Sequence, residues 1–413
     1  MSNARRLRIM VLTPFMPFAK SLGFNIRVFQ LVRQLATRHQ VSVLTYGLPA
    51  NAPDVAALRD LGVEVRVVTP PFPGWGGRRV AQLASLASGR PYQYRELQTP
   101  AMQRELDRLL ESSTFDIVQV ESSPVSGFDF RGHPIVVIDE HNIEYELLSR
   151  SYRTERSAGR KFFSGVEYLK VRRAEQAAWK RAGGCLVTSR REETAVRRIA
   201  PHVPTAVVSN GVDLDYFTPS SEAPERDSVL FTGQLTYRPN LDAIRYFTRE
   251  ILPIIMHVRP STKLTVVGYG PPDVLASITG ANVLATGWVP DVRPYLRRAA
   301  VVVVPVRMGS GTRLKVLDAL ASGKAVVSTS LGCEGIEVRD GEHLLIGDDP
   351  EAFASHALAI LRDPLLPGTL ARSGRRLVED RYSWSAVTND LEAFYQRLAA
   401  GARPAPSLAG LRG

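Results

Sequence analysis

Apolar runs of four to seven residues alternate with amphipathic stretches along most of the chain. In the first half they predict strands at Leu7–Thr13, Val41–Thr45, Val63–Val68, Phe115–Val120, Ile135–Ile138, Cys185–Thr188 and Thr205–Ser209. These runs are rich in β-branched residues and apolar on both faces, as strands buried in a parallel sheet must be. Between the first two, Ile26–Arg38 sets Val28, Leu31, Val32 and Leu35 on one helical face. Strand, helix, strand in that order predicts a parallel sheet with right-handed crossovers.

After Thr218 the stretch PSSEAPERDS is polar and proline-containing and reads as a linker. The pattern restarts at Val229–Gly233, Leu264–Gly268, Val283–Thr286, Val301–Pro305 and Ala325–Ser328, with helices expected over Asn240–His257 and Thr312–Ser322. At 413 residues the chain is too long for one ordinary core. The expectation is an α/β protein of two doubly wound parallel-sheet domains, residues 1–214 and 228–382. A helix over 383–400 is expected to cross back to the first domain, and 401–413 reads as a flexible tail.

Composition narrows the partners. Lys and Arg number 52 against 41 Asp and Glu, a net charge of +11. Such an excess suits phosphate-rich small molecules, an anionic bilayer or nucleic acid. No nucleic-acid-binding module accompanies it, so nucleic acid is not expected. No run approaches the roughly 18 apolar residues of a spanning helix. The basic start MSNARRLRIMVLTPF continues into the first strand and does not read as a signal peptide. The two cysteines, Cys185 and Cys333, fit a reducing cytoplasm, and the scattered histidines give no metal-ligand spacing.

A doubly wound sheet binds ligands beyond the carboxyl ends of its strands. After Val301–Pro305 comes the stretch RMGSGTRLKVLDALASG. Gly309 and Gly311 let backbone amides approach a ligand, with Ser310 between them, and Thr312 is placed to cap the following helix. Helix-start amides attract an anion, and Arg313 and Lys315 add full positive charge there. Cations in a first turn oppose the helix dipole unless an anion is bound, which points to a diphosphate site. Asp318, further along the same helix, is placed to accept hydrogen bonds from ribose hydroxyls. The pair Asp348–Asp349 superficially suggests a metal, but its setting, GDDPEAF, reads as a helix cap. In the first half DEHNIEYE follows Ile135–Ile138 and packs Asp139, Glu140, His141, Asn142 and Glu144 at a strand's carboxyl end.

The stretch from Gly309 to Gly323, continuing as KAVVSTSLGCEGIEVRDGEHLLIGDDPEAFA, resembles the donor-binding region of glycosyltransferase family 4. SNGVDLDYF and FTGQLTYRPNLDAIRYF resemble the same family's interdomain and first-strand motifs, so the likeness covers nearly the whole chain. It implies a GT-B fold, with two doubly wound domains facing each other across a cleft, and a retaining hexosyl transfer from a nucleotide-sugar to a glycan, lipid-linked or other hydroxyl acceptor. It implies no cofactor and no metal, and a place in polysaccharide or glycoconjugate biosynthesis. By that resemblance Arg313 and Lys315 are catalytic, stabilising the leaving diphosphate, while Gly23, Gly233, Gly309, Ser310, Gly311, Thr312 and Asp318 bind the donor. It also places His141 against the donor hexose as a hydrogen-bonding group, with Asp139, Asn142 and Glu144 as candidate acceptor or cleft residues. Two departures stand out. The family's paired Glu fall on Ser310 and Asp318, and its Arg and Lys after the first C-terminal strand fall on Gln234 and Pro239.

Other doubly wound enzymes fit less well. No GxGxxG follows a first strand and no GxxxxGK[ST] occurs. A sugar-nucleotide epimerase of the same fold and a catalytically silent partner subunit remain open. Two basic, aromatic segments, 74–95 and 150–181, suggest peripheral contact with an anionic membrane, at the inner face of the cell membrane.

Overall fold

A computed structural model describes residues 5–18, 23–70, 82, 85–131, 134–154, 157–309 and 311–401. The chain divides into two compact units, one of residues 1–208 together with 388–413 and one of Ser209–Val387.

Unit 1 carries seven strands: β1 Arg8–Thr13, β2 Gln40–Tyr46, β3 Glu64–Val68, β4 Ile117–Glu121, β5 Ile135–Glu140, β6 Gly184–Val187 and β7 Thr205–Val207. They lie in the order β3-β2-β1-β4-β5-β6-β7, every neighbour parallel. Helix Gly23–Ala36 makes the first crossover, and Val28, Leu31, Val32 and Leu35 are all buried beneath it. The strand order reverses between β1 and β4. That reversal opens a crevice at their carboxyl ends, where such sheets hold their ligands.

Unit 2 repeats the plan with β8 Ser228–Thr232, β9 Lys263–Val267, β10 Val283–Gly287, β11 Val301–Val304, β12 Val326–Ser328 and β13 Leu345–Ile346, ordered β10-β9-β8-β11-β12-β13. The four valines of β11 are all buried, covered on both faces as a central parallel strand is. Here the reversal falls between β8 and β11. The helix expected over Asn240–His257 is interrupted: Arg238–Tyr246 runs into a π-helical turn at Phe247–Ile251, and Leu252–Val258 follows. Pro253 explains the break, because its nitrogen cannot donate and its ring crowds the preceding turn.

The division at Ser209 lies ahead of the polar linker stretch. At the other end, helix Trp384–Gly401 joins unit 1 from Thr388 onward. Glu392 pairs with Arg38 at 2.7 Å and His39 at 3.2 Å, and the fully buried Tyr395 hydroxyl donates to Gln119 of β4. A Cβ on Gly184 would come within 3.0 Å of Phe394, so the helix packs directly on the backbone of β6. Residues 402–413, the rest of the expected tail, lie outside the described residues.

Candidate functional site

The loop after β11 is shaped by two glycines with positive φ, Gly309 at 100° and Gly311 at 83°. Side chains resist such conformations, so the loop's path depends on glycine there. The helix begins at Leu314, two residues later than expected, and its N-cap is Arg313. The expected cap at Thr312 is therefore corrected: extended Arg313 stands between that hydroxyl and the helix. Thr312 Oγ1 is buried with no hydrogen-bond partner among the described residues. A hydroxyl in that state costs about 1–3 kcal/mol unless a ligand satisfies it. Ser310 lies outside the described residues.

Arg313 folds back over its own loop, donating from Nη1 to the Gly311 carbonyl at 2.5 Å. Lys315 is half-buried; its Nζ donates to Asn240 Oδ1 at 2.8 Å and lies 4.4 Å from the centre of the Phe231 ring. Burial, reinforced by Arg313, pushes its ammonium down to about 7. Asp318, also half-buried, is pushed up to about 7 by burial. The two form no close ion pair among the described residues, and their mutual attraction only partly offsets the burial of each. Gly233 ends β8 directly beside them: a Cβ there would meet Lys315 Nζ at 2.7 Å. The reversal in strand order thus brings Gly233, the glycine loop and Lys315 into one cradle.

Asp349 caps helix Pro350–Arg362 by accepting from the Ala352 amide at 2.8 Å, and Asp348 accepts from the backbone and hydroxyl of Ser330. Both carboxylates are thereby committed to local structure.

In unit 1, His141 follows β5 directly and is mostly buried. Its ring stacks on Phe24 at 4.3 Å between centroids, and Nε2 lies 2.6 Å from Glu121 Oε2. Asp139, expected among the acceptor contacts, is fully buried and gripped by Arg27 at 3.0 and 3.1 Å, so its oxygens serve the scaffold. Asn142 and Glu144 are partly exposed, and burial raises the Glu144 carboxyl. Glu140 accepts from Trp179 Nε1 at 2.7 Å, yet burial still pushes it up to about 8. Glu175 accepts from the Glu144 and Tyr145 amides and so caps helix Glu144–Thr154. Gly23 is the first residue of its helix, and residues 19–22 of the loop before it lie outside the described residues.

Glu121, Asp139 and His141 offer ligand atoms within 4.8 Å of one another, close enough to hold a metal ion. The fit is poor, because the Arg27 guanidinium already supplies the cation that Asp139 requires. The spacing of the sequence did not announce Glu121, Gln119 or Arg27. For Gln119 and Glu121 the signal was polarity at alternate positions of the apolar strand IVQVE, which puts both on one face; Arg27, on the first helix, gave none.

Of the two basic segments, Trp75, Arg78 and Arg79 lie outside the described residues, whereas Tyr94 and Trp179 are buried in the core rather than free for a bilayer. Phe162 and Leu169, on helix Ala158–Arg181, are 66% and 59% exposed. No helix among the described residues is long and apolar enough to cross a membrane.

Residues 23–211 match the family model of a glycosyl transferase 4-like domain, and residues 226–363 match that of glycosyl transferases group 1. A phosphatidyl-myo-inositol mannosyltransferase of Mycobacterium tuberculosis is 26% identical over 412 residues, covering 95% of this chain and 97% of that protein. Among solved structures, a sucrose-phosphate synthase from Thermosynechococcus elongatus matches with a TM-score of 0.70 at 18% identity, over 96% of this chain and all of that one. Anabaena Alr3699/HepE, solved in complex with UDP and glucose, matches with a TM-score of 0.66 at 14% identity, over 94% of this chain and 99% of that one. At such identities these structures speak for the fold alone. The chain is a glycosyltransferase of the GT-B fold and belongs with the family 4-like enzymes.

Proposed function

We propose that the chain transfers a hexose, with retention of anomeric configuration and without a metal ion, from a nucleoside-diphosphate sugar to a hydroxyl of a glycan or lipid-linked acceptor. The observation that carries this reading is the cradle after β11: a glycine loop, a buried hydroxyl without a hydrogen-bond partner among the described residues, and Arg313 and Lys315 at the start of the helix that follows, the lysine held by a neutral amide. As the bond from the anomeric carbon to the diphosphate oxygen breaks, negative charge gathers on the diphosphate. Cations and amides placed beforehand stabilise that charge, the largest contribution in sites of this kind. The bond to the acceptor oxygen forms on the same face of the sugar, and the acceptor's proton passes to the departing phosphate. His141 is assigned to substrate hydroxyls. The mycobacterial mannosyltransferase favours a lipid-linked acceptor, hence work at the inner face of a membrane in glycoconjugate assembly.

A panel of UDP-, GDP- and dTDP-sugars tests the reading, by thermal shift and then by product mass and anomeric configuration. Transfer with retention from one of them is the expected result. No transfer or hydrolysis from any donor would favour a silent partner subunit, and return of an epimerised sugar nucleotide would favour an epimerase.

A further inference from the structure

A buried chain of hydrogen bonds runs from the C-terminal helix to His141. Its logic starts at the carboxylates, which when ionised only accept. Burial raises Glu121, while its hydrogen bond to His141 and the Arg27 charge favour the ionised form. Glu121 Oε1 and Asp139 Oδ2 lie 2.6 and 3.4 Å from Gln119 Nε2, so the amide must turn its NH2 toward them. That leaves Gln119 Oε1 facing Tyr395, whose hydroxyl therefore donates. With Oε1 of Glu121 occupied by the amide, Oε2 is left to His141 Nε2 at 2.6 Å. Arg27 holds both oxygens of Asp139 and keeps that carboxylate from competing for the imidazole, whose Nε2 stays 4.0 Å away. Gln119, Glu121, Asp139, Arg27 and Tyr395 are each at most 1% exposed.

We propose that Glu121 is a positioning residue that fixes the tautomer and orientation of the His141 ring, and that Gln119 and Tyr395 hold it in that role. The Nε2 proton is committed to Glu121, and Nδ1, which has no hydrogen-bond partner among the described residues, is left as an acceptor. An acceptor nitrogen suits a group that donates, a sugar hydroxyl, and not a phosphate oxygen. The inference rests on the reading that His141 meets the substrate, and it adds the kind of atom that His141 meets. It also gives Tyr395, on the last described helix, a part in the chemistry of a strand end far away in sequence.

The test uses the full chain with ¹⁵N-labelled histidine, at about pH 8.5, where an ordinary imidazole is neutral. The His141 ring signals are identified by their loss in His141→Asn. The wild type should show the proton on Nε2. In Glu121→Gln the introduced amide donates to Nε2 and the proton moves to Nδ1. Tyr395→Phe removes the hydroxyl that holds Gln119 Oε1; the proton should stay on Nε2, because Glu121 still accepts, while the ring signals broaden as the carboxylate loosens. Glu121→Gln should lower kcat about tenfold or more, with the donor KM and the melting temperature little changed. Ring signals unchanged in Glu121→Gln would overturn the positioning role, and signals unchanged in Tyr395→Phe would overturn the part of the C-terminal helix. If the tautomer moves but Glu121→Gln and His141→Asn both turn over at the wild-type rate, the positioning stands and the assignment of His141 to the substrate falls.

Discussion

Lys315 Nζ and Asn240 Oδ1 lie 2.8 Å apart, and this neutral amide is the lysine's hydrogen-bond partner where a carboxylate would usually stand. A cation so held is short of negative charge, which is why burial can depress it to about 7. In the proposed reading, diphosphate binding supplies that charge and raises the lysine again. Above about pH 7 the donor must therefore bind together with a proton, and affinity falls as pH rises toward the pKa of the complex. Calorimetry at about pH 8 in buffers of different ionisation heat should register proton uptake that disappears in Lys315→Gln. Zero uptake in the wild type would contradict the neutral amine.

Arg313→Ala and Lys315→Ala should each lower turnover by at least about tenfold, equivalent to about 1.4 kcal/mol of transition-state stabilisation. The measurement is kcat/KM with the best donor of the panel. Near-normal turnover in both variants would show that these cations do not serve the leaving group.

Transfer should persist in EDTA. The plausible competitor is a metal at Glu121, Asp139 and His141, and Arg27 already occupies the electrostatic place such an ion would take. Loss of activity in EDTA that Mg²⁺ or Mn²⁺ restores would overturn this.

Buried Glu140 gives a stability prediction. Its folded value of about 8 lies above its ordinary value of 4.5, so across that range the folded state binds more protons than the unfolded state. Stability must then fall as pH rises through the interval, a cost that Gln at this position does not share. The melting temperature should drop more between pH 5 and 8 in the wild type than in Glu140→Gln, whatever the baseline cost of the substitution. Equal drops would mean that Glu140 is already ionised at pH 5.

Phe162 and Leu169, exposed on a helix that also exposes Arg172 and Arg173, motivate a test of membrane contact. In flotation at low salt the protein should rise with anionic vesicles and not with zwitterionic ones. Recovery in the soluble fraction with both would favour a soluble acceptor.

The doubly wound halves were legible because apolar runs buried on both faces, such as those of β1 and β11, alternate with amphipathic helices, a pattern with few folds open to it. Strand β13 escaped notice: Leu345–Ile346 is too short to show any period. Gly309, Gly311, Arg313 and Lys315 could be read from the loop, since a glycine turn before a helix has a local meaning. The start of that helix could not, because Arg313 is drawn into an extended conformation by contacts with its own loop. Glu121 and Asp139 are non-local. Nothing near them in sequence tells that one meets a histidine 20 residues on, and the other an arginine 112 residues before.

The place of residues 388–401 in unit 1 has a consequence for biosynthesis. Domains form as the chain emerges from the ribosome, at about 5–20 residues per second. Unit 2, Ser209–Val387, must be made in full before the segment that completes unit 1 appears. For roughly 10–35 s at that pace the nascent first unit has Gln119 without Tyr395 and β6 without Phe394. A unit made of two separated pieces of chain is thus most exposed to chaperones and proteases during synthesis, and a stop codon shortly before position 388 would leave unit 1 permanently unfinished.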